Sequence, residues 1–236
     1  MSKEKPILFT AEMVKAIREG RKTVTRRVIN PQPEVFDNAG YPDYVCLKHR
    51  YQVGDLLWVK EGWRCTGGGT ERNIIYRADG DTPISFCGID DGRKSILHVA
   101  EPYWAEWDRL VYKTDKSSDW RSSRFMPKWV ARTWLEVVSV RPERVQDITE
   151  EDAKLEGIRG YSAHGGGTHF NPVMIYPAFP EKGGGFSTAK EAFECLWDSI
   201  NAKRGYSWES NPFVWRIEFK ELKHLTQGRD EEAKTT

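Results

Sequence analysis

Nowhere in the sequence do apolar residues run together for the roughly 20 positions that a helix needs to cross a bilayer. The opening MSKEKPILF lacks the apolar core and small-residue cleavage site of a secretory leader, so the expectation is a cytoplasmic protein without a membrane partner. Cysteine is scarce: Cys46, Cys65, Cys87 and Cys195 are scattered and form no C-x-x-C pair. That signals neither a disulfide framework nor a zinc site. Net charge is nearly absent as well. With Lys+Arg at 36, Asp+Glu at 35 and a formal charge of +1, the surface is not uniformly basic, and a polyanion needs a local patch to bind. Neither G-x-G-x-x-G nor G-x-x-x-x-G-K-[ST] occurs, which argues against nucleotide cofactors held by those loops; no cofactor and no metal are expected. No repeat recurs at solenoid or propeller periods.

What is present belongs to a folded chain. A length of 236 residues suffices for a sizeable core, and 39% hydrophobic content with 10 Trp, 9 Tyr and 10 Phe is that of an aromatic-rich globular protein. Pro6 to Phe9 reads as a short strand, and Thr10 as the N-cap of a helix with Met13, Val14 and Ile17 on one face and Gly20 ending it. Val24, Val28 and Ile29 favour a strand, stopped by Pro31-Gln32-Pro33 and a loop from Asp37 to Tyr44. Leu56-Leu57-Trp58-Val59 continues through Lys60 and Glu61 to Trp63 as a candidate central strand.

The stretch from Arg64 to Phe125 reads as an insertion with a flexible loop at Gly67-Gly68-Gly69, a strand within Asn73 to Arg77 and a polar, turn-rich end. Trp129 to Val145 is strand-like. Thr149 and Asp152 then open a capped helix closed by Gly157, and Thr188 with Glu191 opens another carrying Phe193, Leu196, Trp197 and Ile200. Alternation of Phe213, Trp215, Ile217 and Phe219 with Val214, Arg216, Glu218 and Lys220 predicts a final strand with one buried face. His224 to Thr236 is polar and expected to be disordered. Several strands with a few short helices, and no regular strand-helix alternation, argue for an α+β or small β-barrel arrangement.

Two stretches suggest chemistry. The first, HGGGTH at His164 to His169, resembles an oxyanion segment and offers two imidazoles. The G-x-S-x-G elbow of a hydrolase is missing, as are further ligands at metal spacing, so the stretch reads as a surface loop. The second, GRKTVTRR from Gly20 to Arg27, holds four cations and two hydroxyls in eight residues at a helix-to-strand turn. A lone basic run is most often a solvated face. On a strand, however, Thr25 and Arg27 share a face, and Lys22 in the turn has a stem long enough to reach round. A hydroxyl beside an amine is one way to activate threonine. The amine must first be neutral, which requires its pKa to fall roughly three units, on the order of 4 kcal/mol. Arg21, Arg26 and Arg27 push in that direction, as burial would.

Gly20, Lys22 and Arg27 as G-x-K-x-x-x-x-R after a helix, Gly54-Asp55 before a strand, and the closing WRIEF strand resemble the ASCH domain, a family with a PUA-like β-barrel. PILFTAEMVKAI, GRKTVTRR and ITEEDAKLEGI resemble phage and prophage members in particular. The resemblance covers about residues 6–62, 126–157 and 186–220. It implies one domain over 1–222 with insertions at 64–125 and 158–185 and a disordered 223–236 tail, in a bacterial or phage-infected cell.

The family pattern places an acidic residue three after the lysine, and this chain has Thr25 there. The cluster is thereby similar to that of small bacterial N4-acetylcytidine amidohydrolases of the same fold, whose lysine, threonine and glutamate fall on Lys22, Thr25 and Glu156. The resemblance implies Thr25 as nucleophile on the acyl carbonyl, Lys22 as its base and Glu156 as orienter or proton partner; backbone N–H groups of the turn, or Arg27, would stabilise the oxyanion. Glu156 near Lys22 raises the lysine pKa and opposes the base role, so the sign stays open. A glutamate ending a short capped helix is, in addition, ordinarily a solvated surface residue. Two other classes stand beside the enzyme. One is a non-catalytic RNA-binding module, in which Arg21, Arg26 and Arg27 contact phosphate and Trp58, Trp63 or Trp129 stack bases. The other is a phage protein-interaction role. The expected partner is a nucleoside or single-stranded RNA.

Overall fold

The computed structural model describes residues 3–34, 50–66, 73–79, 96–98, 103–112, 120–163, 173–177 and 185–223. The Asp37 to Tyr44 loop, Gly67 to Gly69, HGGGTH, the tail from His224, and Cys46 and Cys87 lie outside the described residues. In chain order the elements are β1 (Glu4–Leu8), α1 (Ala11–Arg18), β2 (Val24–Val28), β3 (Leu56–Lys60), β4 (Trp63–Thr66), β5 (Asn73–Tyr76) and β6 (Ile96–His98). There follow α2 (Trp104–Tyr112), β7 (Trp134–Arg144), α3 (Glu150–Leu155), β8 (Tyr161–Ala163), β9 (Val173–Pro177), β10 (Gly185–Phe186), α4 (Ala189–Asn201) and β11 (Phe213–Glu221).

Cap chemistry decides where several of these begin and end. Thr10 Oγ1 accepts from the Met13 N–H, and Gly20 takes a positive φ of 73° just beyond α1. Thr149 caps α3, and Thr188 and Glu191 form a reciprocal capping box on α4. The apolar run from Leu56 does not continue to Trp63 as one strand: β3 stops at Lys60 and β4 starts at Trp63, with Gly62 between them. Similarly, β7 starts at Trp134 and not Trp129, because Pro127 opens a short 3-10 turn over Lys128–Val130.

The fold is mixed α+β, and the chain divides into two compact units. The first comprises Met1–Arg18, Gly54–Glu136 and Glu221–Thr236. In it β1 pairs parallel with β3, and β3 pairs antiparallel with the start of β7, Leu57 facing Leu135. A β4–β5–β6 antiparallel sheet adds Trp63, Cys65, Ile74 and Tyr76 to a core with Met126, Val130 and Ala131.

The second unit comprises Glu19–Val53 and Val137–Lys220. Its sheet runs β7–β11–β2, with Ile217 opposite Thr25 and Arg216 opposite Arg26 in antiparallel register. Val145, Ile148 and Ala153 pack with Phe193 and Trp197 of α4 and with Val214 of β11. That packing changes the reading of β11. Val214 is fully buried and Arg216 nearly so, so the strand is covered on both faces, whereas its alternation predicts one.

Among the described residues no strand pairing closes a barrel. β1 ends the sheet of the first unit and β2 that of the second. Proline accounts for much of this: Pro6 within β1 has no N–H to offer a further neighbour, and Pro31 and Pro33 stop the chain from prolonging β2.

Candidate functional site

The site grows from one short junction in the second unit. α3 is only six residues long, and its last turn is fixed by Gly157, which takes a φ of 96° that a side chain with a Cβ disfavours. The turn sets Leu155 and Glu156 against the entry to β2: the Thr23 N–H donates to the Leu155 carbonyl at 3.0 Å, and Lys22 and Glu156 form an antiparallel bridge. On its other side the Thr23 carbonyl accepts from the Phe219 N–H at 2.9 Å. Backbone pairing therefore brings Lys22 and Glu156 together before any side chain is considered.

Their side chains complete the contact. Lys22 Nζ donates to Glu156 Oε2 at 2.6 Å and to the Glu156 carbonyl at 2.8 Å, and the two residues are 1% and 5% exposed. Glu156 is thus not the solvated helix-end residue that its position suggests. Its second oxygen accepts from Arg26 Nη1 at 3.3 Å. Arg26 also donates to Glu143 Oε1 at 2.7 Å and to Asp152 Oδ2 at 2.8 Å, and lies over the Phe193 ring. Asp152 in turn accepts from Arg216 Nη2 at 2.9 Å. Lys22, Arg26 and Arg216 thereby alternate with Glu143, Asp152 and Glu156 in one connected network.

Burial pushes the Lys22 ammonium below the usual lysine range; the Glu156 carboxylate opposes this, and Arg27 and Arg26 reinforce it. The direction left open by the sequence is downward, because a fully enclosed ammonium loses more hydration than one shared carboxylate returns. Burial alone would raise Asp152, but hydrogen bonds from Arg216 and the charge of Arg26 outweigh it and hold that carboxyl below its usual range.

The remaining candidates are distributed unequally. Thr25 is on β2, 4% exposed, and by the pleat shares a face with Arg27. The recorded hydrogen bonds of the Lys22 amine go to Glu156 and not to the Thr25 hydroxyl. Arg27 is half-buried, in the electrostatic reach of Tyr51, Glu156 and Arg204. Arg21 is partly exposed, held by Glu19 and by the Gly157 carbonyl at 3.0 Å. Arg26 has its guanidinium enclosed by three carboxylates and meets no solvent, which removes it from the role of phosphate contact.

Trp58 and Trp63 belong to the first unit. Trp58 is half-buried with Lys60 over its ring, whereas Trp63 is 1% exposed, under the Arg121 guanidinium. An indole so enclosed presents no face for a base to stack on. Sequence reasoning missed Glu143, Asp152 and Arg216 as partners of the cluster. The available signals were Asp152 in the capping segment of α3 and Arg216 in the middle of an otherwise apolar strand.

Two surface hollows of the second unit, about 490 and 300 Å³, are lined by residues such as Gln146, Glu191 and Trp208 in one and Gln32, Arg144 and Phe213 in the other. Neither is lined by Lys22, Thr25 or Glu156. Among the described residues no three His, Cys, Asp or Glu side chains are grouped to hold a metal, and no helix is long and apolar enough to cross a membrane. Compared with known proteins, the chain matches no family model, no curated protein and no solved structure.

Proposed function

We propose that the chain is an ASCH-type, PUA-like amidohydrolase that removes the acyl group from N4-acetylcytidine-like substrates. The observation that carries this reading is the buried Lys22–Glu156 pair, with its lowered lysine proton affinity, at the entry to the strand that carries Thr25. An enclosed amine that sheds its proton easily is the form a general base requires. In this mechanism neutral Lys22 accepts the Thr25 hydroxyl proton as Thr25 Oγ1 bonds to the acyl carbon. Collapse of the tetrahedral adduct breaks the C–N bond, and the lysine proton passes to the departing exocyclic amine. Water then hydrolyses the threonyl ester. Glu156, which also accepts from Arg26, orients the Lys22 amine, and Arg27, on the face of Thr25, is the oxyanion contact, a contribution of about 3–4 kcal/mol in comparable sites.

The test is incubation of the purified chain with N4-acetylcytidine, following release of cytidine and acetate. Turnover is expected to rise with pH through the lowered lysine pKa and to vanish in Thr25→Val and Lys22→Met. Turnover that persists in both variants overturns the assignment.

One observation favours a second reading, a non-catalytic RNA-binding module: the Lys22 amine is bonded to Glu156 and not to Thr25. Salt separates the two when it is read on the cluster's own arginines. If the cluster binds a single strand, Arg21→Gln with Arg27→Gln flattens the log–log salt slope of affinity by about 0.7 per lost phosphate contact, whereas turnover of an uncharged nucleoside is nearly flat in salt.

A further inference from the structure

The outward side of the β4–β5 hairpin carries charge that no carboxylate among the described residues balances. Trp63, Cys65, Ile74 and Tyr76 point into the core of the first unit, so the pleat turns Arg64 outward from β4. Arg77 follows directly on β5. The bridge between Trp63 and Arg121 draws the neighbouring Trp120 alongside. As a result Arg64 Cζ lies 4.9 Å, and Arg77 Cζ 5.1 Å, from the centroid of the one Trp120 ring.

Elsewhere in this unit cations meet carboxylates: Lys5 meets Asp55, Arg18 meets Asp79, Lys128 meets Glu4, and Arg132 meets Glu61 and Asp79. Among the described residues no carboxylate pairs with Arg64 or Arg77, and Arg64 Nε is enclosed without an acceptor. Arg77 is exposed, and Arg64 and Trp120 are half-buried, so all three are reachable from solvent. Two like charges held against one indole repel each other, and their fields add for an anion that approaches both. In a chain of net charge +1, this is the kind of local patch that polyanion binding demands.

We infer that Arg64, Trp120 and Arg77 form a binding site for single-stranded nucleic acid, with the two guanidiniums on phosphates and the exposed edge of the indole, beside the guanidiniums that lie over its ring, against a base. Cation, aromatic, cation matches the phosphate–base–phosphate repeat of an unpaired strand, whose bases are free to stack on aromatic or guanidinium groups. A duplex hides those base faces, and a lone phosphate has no use for the indole. The site is independent of the amidohydrolase reading, since it draws on none of its residues.

The test is fluorescence anisotropy of the full chain with a labelled single-stranded oligoribonucleotide of roughly 12 nucleotides, within the span of about 4–16 that such surfaces cover, over a salt series. Arg64→Gln with Arg77→Gln is expected to weaken binding at low salt by on the order of 10-fold and to flatten the log–log salt slope by about 1.4, that is about 0.7 for each lost contact. Arg64→Lys with Arg77→Lys keeps the charges and is expected to keep the slope, which separates lost contacts from a lost fold. Trp120→Ala is expected to lower affinity with the slope intact. Equal affinity and slope in the wild type and the Gln variant overturn the inference, as does a duplex of the same length competing as well as the single strand.

Discussion

Arg26 shows how far a residue's role is set by its neighbours and not by its type. In the sequence it is one of four cations in a run; in the fold its guanidinium is enclosed and divided among Glu143, Asp152 and Glu156. Removing one partner of a buried ionic network leaves uncompensated charge and costs about 3–5 kcal/mol, far more than the net worth of the pair. Arg26→Gln is therefore expected to lower stability by that amount in urea unfolding. Arg21→Gln, at a partly exposed site, is expected to change it by less than about 1 kcal/mol. Similar losses in both variants would contradict the network's enclosure. Cys65 offers a second check at this scale. Burial pushes its thiol up to about 11, against the pull of Arg121, so little reactive thiolate exists at neutral pH. In native protein treated with iodoacetamide, the Cys65 peptide is expected to stay unmodified until denaturant is added.

At the scale of elements, α3 is the part that converts sequence into a site. Its ends were legible: a threonine N-cap and a glycine after the last turn are local signals, and Thr149 and Gly157 occupy those places. What the turn touches was not legible, because Glu156 meets a lysine 134 positions away, and no local pattern carries that distance. The same limit explains Asp152. Its backbone N–H serves the Thr149 cap, as the spacing suggests, while its carboxylate goes to Arg26 and Arg216. α2 was missed for another reason: WAEWDRLVY is rich in residues that suit strands equally well. Gly157, directly after Glu156, takes a φ of 96°, so Gly157→Ala is expected to cost about 1–2 kcal/mol, the usual penalty of a left-handed residue with a Cβ, and to disturb the turn that seats Glu156 against Lys22. It is also expected to reduce turnover of the acyl nucleoside by more than the stability loss accounts for. Unchanged turnover alongside the stability loss would mean that the position of Glu156 does not limit the reaction.

At the scale of the whole molecule, each unit encloses an ionisable group whose proton affinity folding displaces, and the two respond to pH in opposite senses. In the first, burial raises the Glu61 carboxyl above its usual range, although Arg132 opposes it with two hydrogen bonds of 2.9 Å. Between the ordinary glutamate pKa and that raised value the native state holds more protons than the unfolded chain. Stability therefore falls as pH rises through that window. In the second, burial lowers Lys22. From the lowered native pKa up to the ordinary value of 10.5, the unfolded chain holds the extra proton, so stability rises with pH. Comparison of the wild type with Lys22→Met isolates the second effect, since every other group titrates in both and Arg26 still pairs with Glu156 in the variant. The difference in unfolding free energy, wild type minus variant, is expected to increase with pH across the alkaline window and to level off above 10.5. Urea midpoints at a series of pH values measure it. A difference that stays flat across the window would mean that Lys22 keeps its proton in the fold, and with that the case for Lys22 as a general base would end.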